Sequence, residues 1–178
     1  MKKTLGLALA LAMTASAAFA EAPEKKIELG INGGIALATT AGYDLGFGGQ
    51  VTGLYRIDEN LGVGLGIGYD TFSVTGASGW SSADLSFLAL LKYAFGSEAT
   101  KPYVLVDAGL SSYIVSLTIL GVSASASTSY PEIGGGAGIQ FPMGDSSNFF
   151  VQAAANVIIA TGGTFTYIPV DVGVNFDL

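Results

Sequence analysis

The sequence predicts an all-β chain: eight antiparallel strands closed into an up-and-down barrel that spans a membrane, behind a cleaved leader. Three observations carry that expectation. Apolar residues recur at every second position through most of the chain, which is the period of a strand. The residues between them are small or polar, with a large share of the 26 glycines. The 158 residues left after a 20-residue leader accommodate eight tilted spanning strands of about 9–11 residues with their turns, but not sixteen.

The leader comes first. Lys2 and Lys3 form a basic start, Leu5 to Ala15 is apolar, and Ala18-Phe19-Ala20 has the small-x-small spacing of a signal-peptidase site. Residues 1–20 are therefore read as a signal peptide, with cleavage after Ala17 as the second choice, and 21–178 as the single mature domain. A membrane anchor is too long for this segment, which Glu21, Pro23, Glu24, Lys25 and Lys26 follow at once.

The strands then follow in order. Ile27, Leu29, Ile31, Ile35 and Leu37 alternate with Glu28, Gly30, Asn32 and Gly34. In the second segment Tyr43, Leu45, Phe47, Val51 and Tyr55 alternate with Asp44, Gly46, Gly48, Gln50 and Arg56. The third sets Leu61, Val63, Leu65, Ile67 and Tyr69 against four glycines and Asp70. The fourth sets Leu85, Phe87, Leu91, Tyr93 and Phe95 against Asp84, Ser86 and Lys92. The fifth has Val104, Val106, Ala108 and Leu110 against Tyr103, Leu105 and Asp107. The sixth has Ile133, Ala137, Ile139 and Phe141 against Glu132, Gly134, Gly136 and Gly138. The seventh has Phe149, Val151, Ala153, Val157 and Ile159 against Gln152 and Asn156. The eighth has Ile168, Val170, Val172, Val174, Phe176 and Leu178 against Asp171, Gly173, Asn175 and Asp177.

The glycine-rich faces are too small to cover eight wide apolar faces from within. Two stacked sheets are one solution, but closure with the apolar face outward fits better, because only a closed sheet pairs every backbone group in lipid. The charges agree. Asp44 with Arg56, Asp84 with Lys92, and Asp171 with Asp177 each share the parity opposite to the large apolar residues. A Lys or Arg facing lipid at the midplane costs about 2–4 kcal/mol. Short or turn-rich connectors follow the even strands: 58–60, 96–102 and 144–148. In bacterial barrels such turns face the periplasm, which makes both termini periplasmic and 38–42, 75–82, 115–129 and 161–164 the outer connectors. Tyr55, Tyr93, Phe95, Phe141, Phe149 and Phe176 then form the inner aromatic belt, and Tyr43, Phe47 and Tyr69 a thinner outer one.

Composition excludes several function classes. With 50% apolar and 12% charged residues the chain is not disordered. Without Cys it is not a disulfide scaffold. Without the leader's two lysines, five basic residues face 14 acidic ones, net −9, which excludes a nucleic-acid-binding face. No His is present, so a Ser or Cys nucleophile has no imidazole base. The expectation is a protein that is not an enzyme and needs no cofactor.

The chain resembles the small outer-membrane β-barrel family, the OmpA/OmpX-type eight-stranded barrels of Gram-negative bacteria. The resemblance covers the mature chain. It rests on Pro102-Tyr103 opening strand five with Asp107-Ala108-Gly109 following, on Gly134-Gly135-Gly136-Ala137-Gly138 in strand six, and on Tyr167-Ile168-Pro169-Val170 leading to Gly173-Val174-Asn175-Phe176. It implies the outer membrane as location, lipid and lipopolysaccharide as surroundings, and recognition of the C-terminal strand by the assembly machinery. The family usually ends on an aromatic residue; this chain ends on Leu178, with Phe176 two positions earlier.

Four features are candidates for function. Glu28, Arg56, Lys92 and Asp177 fall at one depth of the lumen, with Asp107 slightly higher, and are expected to form a luminal charge network. The alternative is an ion-selective constriction. Asp44, Asp70, Asp84 and Glu132 fall at the outer strand ends with no basic partner. They read as a solvated acidic mouth, or alternatively as an oxygen-ligand cation site. The luminal glycines leave space for inward Leu88, Leu90, Tyr103, Leu105, Phe150 and Ile158, or else leave a cavity for a small hydrophobic ligand. Finally, residues 108–131 carry no charge. Val115, Leu117 and Ile119 alternate there with Ser116 and Thr118, before Ser123-Ala124-Ser125-Ala126-Ser127-Thr128-Ser129. This is either a mobile Ser-rich loop or a hairpin projecting past the membrane with an edge open to a partner strand. Trp80 is expected in loop or interfacial packing. The resulting expectation is a structural or surface-interaction protein of the envelope, with a protein partner at the outer loops. A small-solute channel or hydrophobic-ligand carrier is the competing class.

Overall fold

A computed structural model describes residues 26–96, 99–119 and 122–178. The leader read at residues 1–20 lies outside them. Eight strands follow one another: β1 (Ile27–Ala38), β2 (Tyr43–Arg56), β3 (Leu61–Val74), β4 (Trp80–Ala94), β5 (Lys101–Ile119), β6 (Val122–Pro142), β7 (Ser147–Ala160) and β8 (Gly163–Asp177). Each pairs antiparallel with the next, and β1 pairs with β8 from Glu28↔Asp177 to Ala38↔Tyr167. The sheet is a closed barrel, not two stacked sheets. Each strand is at least as long as the 9–11 residues a tilted crossing needs.

The alternation puts the apolar side chains outside. Leu65 is 70% exposed and Phe47 61%, far beyond what a surface meant for water shows over a continuous band. Tyr55, Tyr93, Phe95, Phe141, Phe149 and Phe176 are exposed around the end that carries the termini. Tyr93 and Phe95 meet edge to face at 5.0 Å, and Phe141 stacks on Phe149 at 6.4 Å.

The inside is filled in three layers. Ala94, Tyr103 and Phe150 pack near the termini end; Leu54, Leu88 and Leu90 lie above them; Ala36, Phe72, Ile158, Phe165 and Tyr167 close the far end. Two glycines show how the wall makes room. A Cβ at Gly138 would fall 2.5 Å from the Tyr103 ring, and one at Gly173 would fall 2.6 Å from Phe150. The bulky residues occupy the space those glycines leave.

Two differences from the sequence reading concern the far end. The register slips between Tyr43 and Gly46. That irregularity turns Tyr43 inward, where its ring meets Phe165 edge to face at 4.9 Å, so Tyr43 does not belong to the outer belt. Of the connector expected at 75–82, residues 80–82 are strand, and the described part of the one expected at 115–129 is strand throughout. Trp80 opens β4 and pairs with Leu117, and β5 and β6 stay paired out to Ile119↔Val122.

Candidate functional site

The luminal polar groups form two clusters. Near the termini, strand ends bring Glu28, Arg56, Lys92 and Asp177 together. Arg56 Nη2 donates to Glu28 Oε2 at 2.7 Å and to Asp177 Oδ1 at 2.6 Å. Lys92 Nζ donates to Glu28 Oε1 at 2.7 Å and lies 4.7 Å from the centre of the Tyr103 ring. Asn148 Nδ2 adds a contact to Asp177 at 3.3 Å. Glu28 is 4% exposed, so its two cations replace the water it has lost. The reason for the convergence is register. Glu28 pairs with Asp177 and with Leu54, one luminal step from Arg56, while Lys92 reaches across the barrel from β4.

Asp107 does not reach this network. Its carboxylate lies in mid-lumen, against the bare face of Gly134 and the side chain of Asn156. There it shares a cavity of about 30 Å³ with Asp70, Asp171, Gln50 and Gln152. Gln152 donates to Asp171 at 3.3 Å and accepts from the Tyr103 hydroxyl at 2.9 Å.

The four outer carboxylates separate. Asp84 and Glu132 are 0% and 1% exposed, so they are not a solvated mouth. The Tyr167 hydroxyl sits between them, 3.2 Å from Asp84 Oδ2 and 3.0 Å from Glu132 Oε1, and accepts from Asn156 Nδ2 at 3.1 Å. Ser111 donates to the other oxygen of Asp84. Asp70 is adjacent to Asp84 on the neighbouring strand. Asp44 is elsewhere: the slip at Tyr43 leaves it exposed on the rim, where Thr75 donates to it at 2.8 Å. Among the described residues no group of three or more carboxylates is arranged to hold a metal ion.

Sequence reasoning placed these acids inward by parity but missed what covers them. Phe72 stacks edge to face on Phe165 at 5.1 Å and on Tyr167 at 5.4 Å, while Tyr113 donates to the Tyr43 hydroxyl at 2.8 Å. The signal was available for Phe165 and Tyr167, which share the parity of Asp171 on β8. Outside this cap an open cleft of about 190 Å³ runs between Tyr43, Tyr113, Tyr130, Ile158 and Phe165. The remaining luminal spaces are about 40 and 20 Å³, each room for one to a few waters. The lumen is thus a stack of small voids separated by side chains.

The family model described as "Outer membrane protein beta-barrel domain" matches residues 5–178. No curated protein sequence matches the chain. Among solved structures, Neisserial surface protein A is similar with a TM-score of 0.67 at 17% identity, over 85% of this chain and 97% of that one. The N-terminal β-barrel domain of Pseudomonas aeruginosa OprF gives 0.57 at 19%, over 86% and 100%. Ail, the attachment invasion locus protein of Yersinia pestis, gives 0.56 at 18%, over 86% and 99%; it has also been solved with the heparin analogue sucrose octasulfate. At these identities the likeness is one of fold.

Proposed function

This chain belongs to the outer membrane protein β-barrel family, and on that premise we propose that it is a non-enzymatic, non-conducting barrel with a structural and surface-interaction role in the cell envelope. The observation that carries the reading is the filled lumen. The luminal voids of about 20–40 Å³ compare with about 300 Å³ or more for an ordinary ligand pocket. That argues against the channel and the luminal carrier. Glu28, Arg56, Lys92 and Asp177 act in this reading as an ionic plug, and Asp84, Glu132 and Tyr167 as a second, hydrogen-bonded one. Asp107 fixes the space between them.

Function then moves to the surface. The turns at 57–60 and 143–146 close the end that carries the termini, and the β5–β6 hairpin marks the other end. In bacterial barrels the short turns are periplasmic. The hairpin end then faces outward and the termini face the periplasm. The barrel's own partners are the lipid around its apolar band, lipopolysaccharide at its outer rim, and the assembly machinery at β8 during insertion. Ail, similar in fold, carries attachment and invasion in its name, which accords with an outward contact role.

The orientation test uses the absence of cysteine. Single cysteines at Ser125 and at Asn60 are exposed to a membrane-impermeant maleimide on intact cells. Ser125→Cys is expected to label at once, and Asn60→Cys only after the outer membrane is opened. The reverse pattern contradicts the reading.

A further inference from the structure

The β5–β6 hairpin outruns its neighbour. β6 meets β7 from Glu132↔Ile158 to Pro142↔Asn148. Its ladder with β5 continues much further, to Ile119↔Val122. Among the described residues, 122–131 therefore have a strand on one side only. Their outer edge presents backbone donors and acceptors to water.

The hairpin's pattern is also inverted. Below the rim the large apolar residues point away from the axis. Above it most of them point toward the axis, Tyr113, Val115 and Leu117 on β5 with Ala124 and Ala126 on β6, while Ile114 keeps the outward parity of Leu110. The outward side carries Ser123, Ser125, Ser127 and Ser129. The change falls at Leu110↔Pro131, where the hairpin leaves the apolar layer.

Proteins normally blunt such an edge with a charge, a proline, a bulge or a cover. Here the ladder with β5 has no register shift, and residues 108–131 contain no charge. Pro131 sits at the base alone. The turns around the hairpin, 39–42, 75–79 and 161–162, are uncharged as well, which leaves Asp44 as the exposed carboxylate of that rim. In a chain of net charge −7, this is the end that a like-charged copy approaches without repulsion.

We infer that this edge pairs with the same edge of a second copy held in a facing membrane. Two copies in one membrane share their orientation, so identical edges run parallel and their tilts cross. Two copies in facing membranes are inverted. Their edges then run antiparallel about a two-fold axis, the arrangement in which one edge is its own complement. Small alternating Ser and Ala side chains leave nothing to obstruct the approach. The inference rests on the outward-facing hairpin proposed above.

The test uses full-length mature protein refolded into phosphatidylcholine vesicles, with folding verified by its heat-dependent gel shift. The native protein is expected to cluster vesicles. A single cysteine at Ser125 or Ala126, oxidised after mixing two vesicle populations whose proteins carry different tags, is expected to give a dimer that joins both tags. The double variant Ser125→Lys/Ser127→Lys is expected to fold and to lose clustering, because like charges then face each other across the edge. Folded native protein that leaves vesicles dispersed overturns the inference, as do cross-links confined to one population. Failure of the underlying orientation reads out separately, as absence of label at Ser125→Cys on intact cells.

Discussion

Arg56 holds two carboxylates through one guanidinium nitrogen, and both partners lie on strands that meet at the barrel's seam. Arg56→Met leaves Glu28 with Lys92 alone and Asp177 with a 3.3 Å amide contact. Breaking a buried pair from one side costs about 3–5 kcal/mol. Arg56 is partly exposed, so the lower part of that range is expected in urea unfolding of vesicle-refolded protein. No change in unfolding would mean that the network only decorates the lumen. Tyr167 is the corresponding residue of the half away from the termini. Its hydroxyl serves Asp84, Glu132 and Asn156 in a site buried from bulk solvent. Tyr167→Phe keeps the ring in the aromatic cap and removes only that oxygen. A loss of about 1–3 kcal/mol is expected, the usual consequence of leaving buried polar groups unpaired. A variant as stable as the parent would show that the cap alone closes this end.

Elements were legible in proportion to what enforces them. Within the membrane, lipid demands apolar side chains at every second position, and the parity read from β1, β3 and β6 to β8 puts Glu28, Asp70, Glu132 and Asp171 where the structure has them. The irregularity at Tyr43 left no trace in the alternation, because Tyr43 and Leu45 are both apolar whichever way they face. Beyond the rim the lipid constraint lapses. The apolar side of β5 and β6 changes over there, and a Ser-rich stretch that resembles a loop is ladder. The aromatic cap went unread for a related reason: Phe72 shares the parity of Asp70 and Phe165 that of Asp171, but both lie past the stretch where lipid enforces the alternation. Wall glycines offer a test at this scale. A Cβ at Gly64 would run into the carbonyl of Gly53, which is backbone and cannot yield, whereas one at Gly62 would meet nothing closer than 3.8 Å. Gly64→Ala is expected to cost about 1–3 kcal/mol, as overpacking does. Gly62→Ala should stay within about 0.5 kcal/mol. On the outer face, Leu65→Arg is expected to cost about 2–4 kcal/mol in lipid. If it unfolds no more readily than the parent, the apolar band does not face the membrane.

The whole molecule is a closed wall around two polar clusters, with all described Lys and Arg residues toward one end and the uncharged hairpin at the other. From mid-lumen to the end away from the termini, the lumen holds Asp70, Asp84, Asp107, Glu132 and Asp171 without a cation among the described residues. A conducting path would have to part the Arg56 and Lys92 pairs, pass the Leu54, Leu88 and Leu90 layer, and then breach the ring of Phe72, Phe165 and Tyr167. The luminal voids along that path are about 20–40 Å³ each. The direct measurement is single-channel current through the refolded, leader-free protein in a planar bilayer. Folded protein, shown by its heat-dependent gel shift, is expected to give no reproducible openings. Steady openings whose size changes when Arg56 or Lys92 is neutralised would contradict the account, because those side chains would then line a pore instead of filling one.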